Sequence, residues 1–128
     1  MKQMKLEHIA IWVNDLETMK QFYEHYFNTL ASARYENVKT GFSSYFLKFA
    51  TGGRIELSHK DNINKRAPDV LGYAHIAISL GEKQRVDTLA AQFVNDGFNL
   101  LSGPRTTGDG YYEAVIEDPE GNLIELTV

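Results

Sequence analysis

Apolar and polar positions alternate with a two-residue period through His8-Ile9-Ala10-Ile11-Trp12-Val13. A strand with this period puts His8, Ala10 and Trp12 on one face and Ile9, Ile11 and Val13 on the other. The period then lengthens: Leu16, Met19, Phe22, Tyr23, Tyr26 and Phe27 recur at helical spacing, with Asn14 placed as N-cap and Glu17 at the capping-box position. Two further strands, Phe42 to Ala50 and Arg54 to Ser58, flank the turn Thr51-Gly52-Gly53. The same order returns after residue 72. His75 to Leu80 alternates, Gly81 opens a helix whose stripe is Val86, Leu89, Ala90 and Phe93, and Gly97 stands where a left-handed C-cap belongs. Tyr111 to Glu117 and Asn122 to Thr127 then flank Asp118-Pro119-Glu120-Gly121.

The recurrence is also literal. His8-Ile9-Ala10-Ile11 reappears as His75-Ile76-Ala77-Ile78, and Arg54-Ile55-Glu56-Leu57-Ser58 as Leu123-Ile124-Glu125-Leu126-Thr127. His and Glu are 48 residues apart in the first copy (56 less 8) and 50 in the second (125 less 75). Two motifs in the same order at nearly the same separation mark a duplication. The chain is therefore read as one domain made of two modules, residues 4–59 and 72–128, joined by the polar stretch 60–71. Strand, helix, then two or three strands is neither the regular alternation of a doubly wound sheet nor an all-β pattern, which leaves an α+β class.

Composition narrows the chemistry. A chain of 128 residues and 14.5 kDa, 43% hydrophobic and 23% charged, has the make-up of a globular domain rather than a disordered one. Thirteen Lys plus Arg against seventeen Asp plus Glu give a net charge of -4 without a basic run, the wrong sign for a non-specific nucleic-acid binder. No apolar stretch approaches the ~20 residues of a membrane span, and the expectation is a soluble cytoplasmic protein. With no cysteine in the chain, any metal must be held by His, Asp, Glu or backbone oxygen.

Both repeated motifs carry such residues: His8 and Glu56 in one copy, His75 and Glu125 in the other. Each Glu interrupts an apolar strand, so by alternation it points away from its two apolar neighbours. An isolated strand glutamate of this kind ordinarily faces water. Four residues that are His, Glu, His, Glu at corresponding repeat positions have a better explanation as ligands converging on one divalent ion, with Ni, Co or Zn favoured and Mn or Fe compatible. Arg105, in the Gly103 to Gly108 segment read as a loop, is a candidate for a substrate carboxylate. Tyr111, Tyr112 and Tyr45 are candidate pocket walls, and His25 and His59 are read as surface residues. Gly108-Asp109-Gly110 carries no dinucleotide or Walker pattern.

The paired HIAI strands, Phe22-Tyr23, the Asp118-Pro119-Glu120-Gly121-Asn122 turn and the final Ile124-Glu125-Leu126 resemble the vicinal oxygen chelate superfamily. That superfamily includes glyoxalase I, bleomycin-resistance proteins, fosfomycin-resistance enzymes, methylmalonyl-CoA epimerase and extradiol dioxygenases. The resemblance implies two βαβββ modules forming curled mixed sheets, a small-molecule substrate, and a homodimer whose metal ligands come from both subunits. The complete His8, Glu56, His75, Glu125 set looks most like glyoxalase I. It implies a metal-dependent lyase or isomerase acting on a thiol-aldehyde hemithioacetal through an enediolate, with Glu125 favoured over Glu56 as the base. The alternatives within the superfamily are an Fe(II) dioxygenase, a fosfomycin-type thiol transferase and a non-catalytic binding protein. Trp12 stands where glutathione-type enzymes resemble one another in having arginine, and Lys60 where they often have asparagine. Arg105, Trp12 and Tyr111 are thus the candidate substrate contacts, and the resemblance leaves the thiol open, Trp12 and Lys60 departing from the glutathione-site pattern.

Overall fold

A computed structural model of the chain describes residues 3–128. The chain divides into two compact units at Lys65 and Arg66. The first contains β1 (His8–Trp12), α1 (Leu16–Phe27), β2 (Leu30–Ala31), β3 (Tyr35–Asn37), β4 (Phe42–Lys48) and β5 (Arg54–His59). Its sheet runs β1-β5-β4-β2, with β3 also paired to β4; β1 lies parallel to β5 and the remaining pairs are antiparallel. The second unit contains β6 (His75–Ser79), α2 (Lys83–Asn95), β7 (Leu100–Thr106), β8 (Tyr112–Glu117) and β9 (Leu123–Thr127), in the order β6-β9-β8-β7. Again only the first strand, β6, is parallel to its neighbour. Both units are thus βαβββ modules, β2 and β3 together holding the place of β7.

In each unit the helix covers one sheet face. Leu16, Met19, Tyr23 and Phe27 of α1 are buried, as are Tyr45, Leu47, Ile55 and Leu57 of the sheet. Val86, Ala90 and Phe93 of α2 are buried with Ala114, Ile116, Ile124 and Leu126. Each large side chain so buried contributes roughly 1.5–3 kcal/mol, which pins the register: a one-residue slip would carry the core set to the opposite face. The consequence for the site is that His8, Ala10, Trp12 and Glu56 share the face that α1 leaves uncovered, as His75, Ala77 and Glu125 share the one that α2 leaves uncovered.

Four local expectations are corrected. The N-cap of α1 is Asp15, not Asn14: its carboxylate accepts from Thr18 N at 3.0 Å and Thr18 Oγ1 at 2.9 Å. With Asp15 as cap, Glu17 no longer stands at the capping-box position, and its carboxylate accepts the buried Tyr45 hydroxyl at 2.7 and 2.8 Å. The α2 cap is Glu82 rather than Gly81, although Gly97 does take the left-handed conformation (φ 90°). Gly103 to Thr106 is not loop but the end of β7, whose pairing to β8 shifts register between Leu100 and Arg105. Gly103 (φ 81°) lies so close to β8 that a Cβ there would collide with the Glu113 carbonyl and stand 3.0 Å from Ala114 Cα. The turn between β8 and β9 is held by Asp118, which accepts from the backbone N–H of Glu120 and of Asn122, each at 2.9 Å. No helix among the described residues is long and apolar enough to cross a membrane.

Candidate metal centre

In the first unit, β1 and β5 pair so that Ala10 lies beside Glu56 while His8 is two residues back, beside Arg54. A methyl group next to Glu56 leaves its carboxylate room to reach diagonally to His8, and Nε2 stands 3.6 Å from Glu56 Oε1. The His8 ring packs edge-on against Phe46, centroids 5.1 Å apart. Its other nitrogen, Nδ1, is buried without a hydrogen-bond partner among the described residues, and the nearest carboxylate oxygen is Glu7 Oε1 at 3.4 Å. Glu7 is tied to Arg54, and that hydrogen bond holds its carboxyl below the usual range. His8 Nδ1 thus has a carboxylate nearby but no hydrogen bond to it, so it lacks the anchor that the second nitrogen of an imidazole metal ligand usually has. Glu7 was not singled out from the sequence; its only signal there is that it adjoins His8.

The second unit repeats the device. Ala77 lies beside Glu125, His75 beside Leu123, and His75 Nε2 stands 3.2 Å from Glu125 Oε2. The side chains of Glu56 and Glu125 are only 17% and 20% exposed, so neither is the solvated strand glutamate that alternation alone suggests. The copies differ at Glu113 of β8, which has no repeat signature in the sequence because the corresponding position of the first copy is Ser44. Burial, and then the neighbouring Glu125 carboxylate, push the Glu113 carboxyl above its ordinary range; Arg105, opposite it across β7 and β8, acts weakly the other way.

Two donor atoms bound to one ion at ~2.1 Å stand about 3.0 Å apart at a right angle and about 3.4 Å apart at the tetrahedral angle. The His–Glu separations are close to both, so each pair fits two adjacent positions around a divalent ion. Among the described residues no group of three or more His, Asp or Glu side chains is arranged so that it could hold a metal ion. Each unit supplies a pair.

The other candidates separate by face. Trp12 is on the uncovered face of the first unit, half exposed. Arg105 and Tyr111 are exposed at the β7–β8 hairpin, where the Tyr111 carbonyl accepts from Thr107 N–H and the Tyr111 N–H donates to Thr107 Oγ1. Tyr45 and Tyr112 lie on the helix-covered faces, where their hydroxyls donate to Glu17 and Asp87. His25 is exposed as expected, whereas His59 is half-buried with Nδ1 2.8 Å from the Val13 carbonyl.

Residues 5–126 match the family model of the glyoxalase/bleomycin resistance protein/dioxygenase superfamily. The chain belongs to this superfamily. A relative in Bacillus subtilis (strain 168), the uncharacterized protein YqjT, is 24% identical over 94% of this chain and 96% of its own length. Among solved structures, the trypanothione-dependent glyoxalase I of Leishmania major superposes with a TM-score of 0.79 at 22% identity, covering 98% of this chain and 86% of that one. A glyoxalase/bleomycin resistance protein/dioxygenase domain from Frankia sp. EAN1pec gives 0.84 at 16% identity, covering 98% and 92%. At such identities the likeness is one of fold. Membership of the superfamily accounts for the two βαβββ modules and leaves the reaction to be argued from the residues.

Proposed function

We propose that the protein is a divalent-metal-dependent lyase or isomerase of the glyoxalase I type, with His8, Glu56, His75 and Glu125 as ligands. The observation that carries this reading is the pair of His–Glu diagonals, 3.6 and 3.2 Å, at equivalent registers of the two modules. A pair occupies only two positions around an ion, so two pairs are needed for a four-ligand site. We assign His8 and Glu56 of one subunit and His75 and Glu125 of a second to each site of a homodimer.

A bound divalent ion supplies Lewis acidity toward two adjacent substrate oxygens, favouring the negative charge that builds up when a carbon-bound proton leaves. The remaining work falls to the chain. Glu125 takes the proton from one carbon and returns it to the neighbouring one, the role that a carboxylate within hydrogen-bond reach can fill. Glu113, crowded against Glu125, is a second group able to hold a proton at this place. Glu7, 3.4 Å from His8 Nδ1, adds a negative charge beside the ring.

The test is to load purified protein in turn with Ni, Co, Zn and Mn and supply methylglyoxal with glutathione, bacillithiol or another small thiol. Formation of the 2-hydroxyacyl thioester, abolished by chelator, is the expected result. Absence of product with every metal and thiol pair removes the activity and leaves the fold untouched.

A further inference from the structure

Beyond the His8–Glu56 pair, the uncovered face of the first unit carries a second group of side chains that the metal reading does not use. Trp12 and Phe42 meet at 6.2 Å between centroids with their planes 83° apart, and Tyr35 adjoins Phe42 at 6.1 Å. Trp12 and Tyr35 are 50% and 53% exposed, unusual for large aromatic side chains set on a sheet face. Over the indole stands Lys60, its Nζ 4.6 Å from the ring centroid. Lys60 makes no ion pair among the described residues. Two rings near a right angle form a corner that receives a flat ring stacked on one wall and edge-on to the other. The Lys60 ammonium, held over the indole and in no carboxylate pair among the described residues, is within reach of an anion bound beside that ring. Trp12 is four residues along β1 from His8, about 13 Å at the ordinary strand rise.

We propose that Trp12, Phe42, Tyr35 and Lys60 form a binding subsite for a planar aromatic group that carries a carboxylate or similar anion. The ring stacks in the corner and the anion pairs with Lys60. This deepens the proposed function by assigning the far end of its substrate: reacting oxygens at His8 and Glu56, an anionic aromatic group some 13 Å away. The subsite lies wholly within the first unit, so its test needs neither metal nor turnover.

Trp12 is the sole tryptophan, so its indole N–H gives a single resonance in a ¹⁵N-labelled sample. Titration of metal-free protein with 2-naphthoate is expected to move that resonance saturably, with the same midpoint in a Glu125→Gln variant that impairs the metal site. Lys60→Gln, a change at an exposed position, should weaken 2-naphthoate about tenfold, the scale of one charge-assisted contact, and leave neutral 2-naphthamide unaffected. Cyclohexanecarboxylate, which has the charge without the flat ring, should not bind. An indole resonance that ignores 2-naphthoate, equal affinities in Lys60→Gln and the parent, or tighter binding of S-methylglutathione than of 2-naphthoate would each overturn the subsite. So would a resonance that responds only to protein dilution, since that assigns the ledge to a contact between copies. Failure here leaves the thioester-forming activity open, and failure of that activity leaves the subsite standing.

Discussion

Glu125 receives the His75 imidazole at 3.2 Å on one side and crowds the Glu113 carboxyl on the other, while Glu56 has only the first of these neighbours. The two glutamates are equivalent by repeat and unequal by surroundings. If Glu125 moves the proton, Glu125→Gln should lower kcat by about 10²–10⁴. Thermal denaturation of the metal-free variant should be nearly unchanged, since a partly exposed carboxylate is replaced by its isostere. Glu113 gives a prediction of definite sign. Its carboxyl titrates above the ordinary 4.5, so in the window just above that value the folded chain binds more protons than the unfolded one, and unfolding free energy falls as pH rises. Glu113→Gln removes that loss. In chelator-treated protein the Tm of the variant relative to the parent should therefore climb as pH rises through the window and level off beyond it. A pH-independent difference would show that Glu113 is not held protonated by its surroundings.

At the scale of elements, the strands and helices follow from periodicity because each has one face against a core. Caps and bulges do not follow as directly. Asn14 and Asp15 are both good N-cap residues, and the choice falls to Asp15 because it starts α1 at Leu16, whose side chain is buried, and frees Glu17 for the Tyr45 hydroxyl. Asp15→Ala should cost about 1 kcal/mol, read as a lower denaturation midpoint, and Asn14→Ala much less. Gly103 was legible as part of a loop, yet it lies inside strand β7, where the close approach of the β8 backbone excludes a side chain. Gly103→Ala adds that clash to the strain of a positive φ and should destabilise by about 1–3 kcal/mol. Because β8 carries Glu113 and fixes β9, the same substitution should also weaken metal binding, measurable by calorimetry.

For the whole molecule, the proposed function requires two His–Glu pairs to complete one site. Under the shared-site proposal, a His8→Ala, Glu56→Ala chain and a His75→Ala, Glu125→Ala chain are each inactive alone. Mixed under conditions where subunits exchange, they should form a heterodimer with one intact site and recover about half the parent activity per dimer. No recovery in demonstrably mixed dimers would place the four ligands within single chains. Chelation should lower the denaturation midpoint, and restoring metal should raise it in proportion to the logarithm of free metal well above Kd.

The sequence by itself determined the duplication, the α+β class, the superfamily and the four ligand candidates, because each of these rests on short-range regularity: alternation, helical spacing and two motifs repeated in order. The same regularity put Trp12 on the face of His8. What only the tertiary structure decided are the partners that come from separate strands. Glu113 joins Glu125 because β8 pairs with β9, Glu7 reaches the His8 ring while tied to Arg54 on β5, and Phe42, Tyr35 and Lys60 gather around Trp12 from three separate stretches of chain. Such contacts have no periodic signature, since register is set by which faces the helices bury, and burial is a property of the folded whole.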